Sequence, residues 1–185
     1  DNKTLFYTVL DKAHRSYQLW RHGLGNEQSD DVLVFQEDDD RFSVGLHRTK
    51  SGEFLKMELE SQITTEVYLL DRNDPFGEWE LVQPREQGVE YYVYHHGDYL
   101  YLTTNKDAIN FKMIRRALKG GKEVELIPNR DKTTLDNVSM FKNHMAVLER
   151  VNGNRAIRLF NFEDQSWYNI EMDEEIYSLS FEENY

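Results

Sequence analysis

The stretch HGDYLYL, residues 96–102, is a Gly-Asp turn followed by a strand pattern, and its shape recurs along the chain. The other copies are NKTLFYT at 2–8, SGEFLKM at 51–57 and KNHMAVL at 142–148. Leu5 and Phe54 are 49 residues apart, Phe54 and Tyr99 are 45 apart, and Tyr99 and Met145 are 46 apart. A period of this length indicates one supersecondary unit that is used several times in succession.

Each period carries three further strand patterns, in phase with the first. One begins at Ser16, Thr65, Asn110 and Arg155. A shorter one closes each repeat, at 31–37, 78–84, 124–128 and 167–172. The last one opens the next repeat, at 41–48, 89–96, 137–143 and 175–181. Four short strands in about 45 residues, joined by turns, are typical of a propeller blade, so the sequence predicts an all-β fold.

The predicted fold is a β-propeller fragment of about four blades, with 16 strands in four-stranded antiparallel sheets. The predicted units are an incomplete blade at 1–37, blades at 41–84, 89–128 and 135–172, and the first strand of another blade at 175–181. Residues 1–3 read as a hairpin turn that enters a strand at once. We therefore expect the chain to have been cut from a longer one, which supplies the missing first strand.

Charge and composition exclude several classes of partner. Lys and Arg number 22 and Asp and Glu number 34, which gives a formal net charge of −12. This charge repels nucleic acid and anionic membranes and favours cationic partners. The sequence has no cysteine, no basic-then-apolar leader and no apolar run near the ~20 residues that span a bilayer. We expect a cytoplasmic protein without nucleic-acid or membrane partners.

Parts of the sequence also resemble a known family. The residues that carry the resemblance are LFYTVLDKAHRSYQLWRHGLG at 5–25, RTKSGEFL at 48–55, PREQGVEYYVYHHGDYLYLTTN at 84–105 and NFKM at 110–113. They are similar to the propeller of the oligopeptidase B (protease II) group in the prolyl oligopeptidase family of serine peptidases. The match follows essentially the whole chain and thins after about residue 117.

This resemblance implies a seven-bladed propeller that covers the active site of an α/β-hydrolase domain. It also implies cleavage of short peptides after Lys or Arg. The nucleophile of such a domain sits on a strand-to-helix elbow within G-x-S-x-G. No Ser of this chain has Gly both two residues before it and two residues after it. We therefore assign no catalytic residue and expect the chain alone to be inactive. The six histidines stay unassigned: His14, His22, His47, His95, His96 and His144.

Four motifs are better explained by structure than by chemistry, so we predict neither a cofactor nor a metal. GLGNEQ at 23–28 lacks the helix of a dinucleotide loop, and Gly120-Gly121 reads as a hairpin turn. The acidic run 37–40 lacks the pattern of a calcium loop and reads as a solvated connector. His95 and His96 are adjacent on a strand and point to opposite faces, so one metal cannot easily bind both.

Two functions fit the predicted propeller. In the first, the chain gates access to the hydrolase domain of a serine oligopeptidase, with 41–48, 89–96 and 137–143 lining the channel and the negative charge attracting basic peptides. The alternative is a stand-alone small propeller that acts as a protein-interaction scaffold. In either case the faces of the first and last blades have no neighbouring blade to bury their apolar side chains. We expect homo-oligomerisation, or closure of a four-bladed ring by strand 175–181.

Overall fold

Four antiparallel sheets contain all the strands of the computed structural model, which describes residues 2–174 and 178–181. Fifteen strands are found within these residues, three in the first sheet and four in each of the others. Sequential neighbours pair throughout, as in a meander. The all-β prediction is confirmed. The predicted strand at 175–181 includes residues 175–177, which lie outside the described part of the chain.

The chain divides into two compact units, residues 1–91 and 92–185. The first unit holds two sheets. Their strands are β1 (Thr4–Leu10), β2 (Ser16–Gly23) and β3 (Val32–Gln36), then β4 (Ser43–Arg48), β5 (Phe54–Glu60), β6 (Thr65–Asp71) and β7 (Glu80–Gln83). Successive side chains of each strand point to opposite faces of its sheet, and the apolar side chains of one face are buried. The buried core consists of Leu19, Phe42, Val44, Met57 and Leu59.

The second unit is built in the same way. Its strands are β8 (Tyr91–His96), β9 (Tyr99–Thr104), β10 (Lys112–Ala117) and β11 (Val124–Ile127), then β12 (Thr133–Met140), β13 (His144–Val151), β14 (Asn154–Asn161) and β15 (Trp167–Asn169). Residues of both sheets share one core, with Met113, Met145 and Phe160 each 2% exposed or less. The described residues include no helix with the length and hydropathy of a membrane-spanning segment.

The strand β12 begins four residues before the predicted segment 137–143 and ends at Met140. Its register with β13 shifts between Leu135 and Asn137. Because of this bulge, Leu135 and Val138 both face the core although they are three positions apart. A pattern search with period two therefore finds only the part of the strand beyond the bulge.

Two motifs that resembled phosphate loops are connectors, as predicted. GLGNEQ joins β2 to β3, and the only helical residues between these strands form one 3-10 turn at Gln28–Asp30. Gly120 and Gly121 lie between β10 and β11 with φ of 82° and 141°. Such positive φ values favour glycine, which explains the pair at this turn.

A buried tyrosine repairs an irregularity between β6 and β7. The register of these strands shifts between Val67 and Tyr68. The hydroxyl of Tyr91, which is 1% exposed, accepts a hydrogen bond from the Val67 amide at 2.8 Å and donates one to the Gln83 carbonyl at 2.5 Å. The Tyr91 hydroxyl thus bridges the Val67 amide and the Gln83 carbonyl where the register shift disturbs the backbone pairing of β6 and β7.

Tyr91→Phe is expected to lower the free energy of unfolding by about 2 kcal/mol, because it leaves the buried Val67 amide and the half-buried Gln83 carbonyl without this partner. Urea unfolding measures the loss. Tyr99→Phe is the matched control, since Tyr99 is 39% exposed, and it should cost under about 0.5 kcal/mol. Equal effects of the two substitutions would contradict this role of the Tyr91 hydroxyl.

Candidate functional site

Acidic side chains form a row on one face of the second sheet. In the β4–β5 ladder, Ser43 pairs with Glu60 and Gly45 pairs with Glu58, so both carboxylates lie on one face. Glu58 is 7% exposed and contacts Lys56 Nζ at 2.7 Å and His47 Nε2 at 3.4 Å. A Cβ at position 45 would lie 3.1 Å from His47 Nε2, so glycine leaves room for this imidazole. We call Glu58, Glu60 and the nearby Glu90 the acidic row.

The carboxylates of the acidic row act on one another. Burial raises the pKa of Glu60, and the charges of Glu58 and Glu90 raise it further, whereas His47 and Lys56 act in the opposite direction. Desolvation is the largest cause of this shift, and the neighbouring carboxylates add a repulsion to it. A cationic group that approached this face would relieve that repulsion.

A second charged cluster links two connectors of the first unit to strand β6. Arg85 Nη2 lies 2.6 Å from Glu37 Oε2 and 3.1 Å from Glu66 Oε1, and its guanidinium lies 4.0 Å from the centre of the Phe42 ring. The Glu37 side chain is 7% exposed and that of Glu66 is 9% exposed. Burial alone would raise the pKa of Glu66, but hydrogen bonds from Arg85 outweigh burial and lower it. Glu66 is therefore ionised at neutral pH, and both carboxylates pair with one guanidinium.

This cluster corrects the interpretation of the acidic run 37–40 as a solvated connector. Asp38 and Asp40 are exposed, but Glu37 is buried against Arg85. Asp39 accepts hydrogen bonds from the Arg41 side chain, which lower its pKa to about 2. The prediction was wrong for Glu37 because its partner lies 48 residues away in sequence, beyond any local pattern.

Three polar side chains form a network on the first sheet that superficially resembles a catalytic triad. Nδ1 of His22 lies 2.5 Å from Oδ1 of Asp31, and the hydroxyl of Tyr7 donates to Oδ2 of Asp31 at 2.7 Å. The hydrogen bond to Asp31 raises the pKa of Tyr7, so the phenol stays protonated and is not an activated nucleophile. The network ties β1, β2 and the connector before β3 together.

The remaining histidines lie in separate places. His14 is exposed in the β1–β2 turn and His144 is half-buried at the start of β13. His95 is 2% exposed, whereas His96 stacks on Phe162 with 3.6 Å between ring centres. The described residues contain no group of three or more His, Asp or Glu side chains placed to hold a metal ion.

Comparisons with known proteins agree with this architecture. The family model of the prolyl oligopeptidase N-terminal β-propeller domain matches residues 1–185. The chain belongs to the prolyl oligopeptidase family. Among curated relatives, Protease 2 of Moraxella lacunata is 30% identical over 177 residues, which are 95% of this chain and 25% of that protein. Dipeptidyl aminopeptidase BI of Pseudoxanthomonas mexicana is 30% identical over 189 residues, which span 100% of this chain and 26% of the relative.

Solved structures of the prolyl oligopeptidase family share this fold. Oligopeptidase B from Trypanosoma brucei, in a closed form with covalently bound antipain, superimposes with a TM-score of 0.86 at 32% identity. Oligopeptidase B from Leishmania major gives 0.87 at 27% identity. Each comparison covers 95% of this chain and 26% of the other. The chain therefore spans about a quarter of the length of these members of the prolyl oligopeptidase family.

Sequence reasoning missed the acidic row and the buried charge clusters. One signal was present in the repeat: Glu58 and Glu149 each lie four residues after the aligned positions Phe54 and Met145. Both glutamates lie within a strand among apolar residues, and they are 7% and 1% exposed. A carboxylate at a buried strand position requires a cationic partner, so the repeat alignment could have directed a search for one.

Proposed function

We propose that this chain is the non-catalytic propeller portion of an oligopeptidase B-like serine peptidase, in which it limits the access of substrates to an α/β-hydrolase domain. The observation that carries the proposal is the likeness to oligopeptidase B, with a TM-score of 0.86 over 95% of this chain at 32% identity. A propeller arranges its blades around a channel, and a channel admits short extended peptides but excludes folded proteins. The partners are the hydrolase domain and short basic peptides.

The acidic row gives the proposal a substrate preference. Glu58 and Glu60 lie on a sheet whose first strand, β4, is one of the strands that we assign to the channel wall, and Glu90, just before β8, adds negative charge near Glu60. Negative charge concentrates Lys- and Arg-containing peptides near the protein before they reach the catalytic residues. Cleavage after Lys or Arg follows from the family resemblance, and the acidic row is consistent with it.

Peptidase assays on the full-length protein test this function. A short peptide amide with Arg before the scissile bond should be cleaved at least about 100-fold faster than the same peptide with citrulline, which has nearly the same shape without the charge. The same Arg-containing sequence within a folded protein should resist cleavage. Equal rates for Arg and citrulline, or rapid cleavage of the folded protein, would contradict the proposal.

The salt dependence of the same reaction tests the role of the acidic row. Between low and physiological ionic strength, kcat/KM for the Arg peptide should fall by about tenfold, because screening weakens long-range attraction. Glu60→Gln should lower the low-salt value by about twofold. The control Glu163→Gln removes an exposed charge from another sheet and should leave the value unchanged. A flat salt response would reject electrostatic attraction as the mechanism.

Two features of the proposed assembly stay predictions. One is the cytoplasmic location. The other is self-association through sheet faces when the 185-residue chain is isolated; on the first sheet Leu5 and Leu33 are 49% and 42% exposed. Both lie on the face that bears Trp20, opposite the buried Leu19. Sedimentation of the isolated chain distinguishes a monomer from an oligomer.

A further inference from the structure

A cavity of about 450 Å³ lies at one end of the fourth sheet, where β13 turns into β14. Its volume is in the range of sites that bind small molecules. Polar groups on its wall come from Thr133, Asn154 and Asn169, and apolar groups come from residues that include Val151 and Ile170. The cavity thus combines hydrogen-bonding groups with a surface for an apolar group.

Two arginines and one glutamate give this cavity a net positive charge. Glu149 is 1% exposed, and its carboxylate accepts hydrogen bonds from both guanidinium groups. Arg158 binds it through Nε at 3.0 Å and through Nη2 at 2.6 Å, and Arg130 binds it through Nη2. One carboxylate balances only one of the two guanidinium charges. In a chain of net charge −12, this is a local excess of positive charge.

The Arg158 guanidinium keeps donors for a further acceptor. It has five N–H groups, and Glu149 accepts hydrogen bonds from its Nε and Nη2. The guanidinium lies 4.4 Å from the centre of the Trp167 ring. Planar guanidinium groups match the geometry of carboxylates, so the remaining N–H groups suit a second one.

We propose that this cavity binds a small carboxylate with an adjacent apolar group, such as the free C-terminus of a short peptide. The carboxylate meets the excess charge of Arg130 and Arg158, and the apolar group packs on Val151 and Ile170. The inference does not depend on the proposed function, since it rests only on residues of the second unit. The competing explanation is an Arg-Glu-Arg cluster that serves packing alone.

Calorimetric titration of the full-length protein at low salt distinguishes the two explanations. The probes are N-acetyl-Ala-Ala-Leu with a free C-terminus and the same peptide as its C-terminal amide, neither of which contains Lys or Arg. The free acid should bind at least about tenfold more tightly than the amide, because only the acid pairs with the guanidinium charge. Equal affinities, no measurable binding of the acid, or binding of inorganic phosphate but not of the acid would overturn the proposal.

Three substitutions locate the binding. Arg158→Met should reduce the affinity for the acid at least about tenfold, whereas Arg150→Met, which removes a 49% exposed cation from the opposite face of the sheet, should leave it unchanged. Glu149→Gln should tighten binding several-fold, because it removes the competing carboxylate. This gain cannot arise from misfolding, so it supports the proposal even if Arg158→Met unfolds. Weaker binding by Glu149→Gln in a protein with an unchanged melting temperature would overturn it.

Discussion

Arg85→Met is expected to lower the free energy of unfolding of this chain by about 3 kcal/mol. The substitution keeps the apolar stem near the Phe42 ring but removes the cation that Glu37 and Glu66 share. Removing one partner of a buried ion pair costs about 3–5 kcal/mol, because the charge of the other partner stays buried. The Arg85 side chain is 28% exposed, so we expect a loss at the lower end of this range. Urea unfolding at pH 7 measures it.

The pH dependence of this loss identifies its cause. In the native protein the pKa of Glu66 is lowered, so the stability that this group contributes is present at neutral pH and declines as the pH falls through its folded pKa. Without Arg85, burial would raise the pKa of Glu66, and the variant would gain stability as this carboxylate binds a proton. The difference between the two proteins should therefore shrink between pH 7 and pH 4.

Arg41→Met is the matched control for Arg85. The Arg41 side chain is 64% exposed and pairs with Asp39, whose side chain is 30% exposed. Exposed ion pairs contribute little because water screens them, so this substitution should cost no more than about 0.5 kcal/mol. Equal losses for Arg85→Met and Arg41→Met, or a difference that does not change with pH, would contradict the role of the buried cluster.

Phe160→Ala is expected to cost about 4 kcal/mol, which is the largest single loss that we predict for the second unit. Phe160 is 2% exposed, and its ring centre lies 4.9 Å from that of Trp167 and 5.7 Å from that of Phe162. Removing a buried ring leaves a cavity that close-packed neighbours only partly fill. Thermal or urea unfolding of the variant measures the loss.

The control for Phe160 is Phe76→Ala. The Phe76 ring is 67% exposed, and the guanidinium of Arg21 lies 4.5 Å from the ring centre. Loss of this exposed contact should cost less than about 1 kcal/mol. If Phe160→Ala costs as little as the control, the core shared by the two sheets of the second unit does not stabilise the chain as described.

The repeat in the sequence predicted the sheets because turn residues and alternating apolar residues are local signals. The Gly120-Gly121 turn and the connector after Gly23 were found in this way. Tyr91 and Tyr101 are buried, whereas Tyr92 and Tyr99 are 36% and 39% exposed. Alternation indicates that neighbouring residues face opposite sides, and it does not show which side is covered.

The charge clusters were not predictable in the same way. Arg85 pairs with Glu37, which lies 48 residues away in the sequence, and Arg130 pairs with Glu149, which lies 19 residues away. Such pairs form between connectors and strands that only the folded sheets bring together, so no spacing rule encodes them. The bulge in β12 was also missed, since the added residue at Leu135–Asn137 disturbs the alternation on which the prediction depends.

We propose that these residues limit the access of substrates to a peptidase domain and contribute no catalytic group. The most direct test measures hydrolysis of an Arg-containing peptide amide by the full-length protein and by the 185-residue chain, after cooperative unfolding shows that the isolated chain is folded. The full-length protein should cleave the peptide, and the chain alone should give only the uncatalysed rate. Hydrolysis by the isolated chain at a rate comparable to that of the full-length protein would contradict the account.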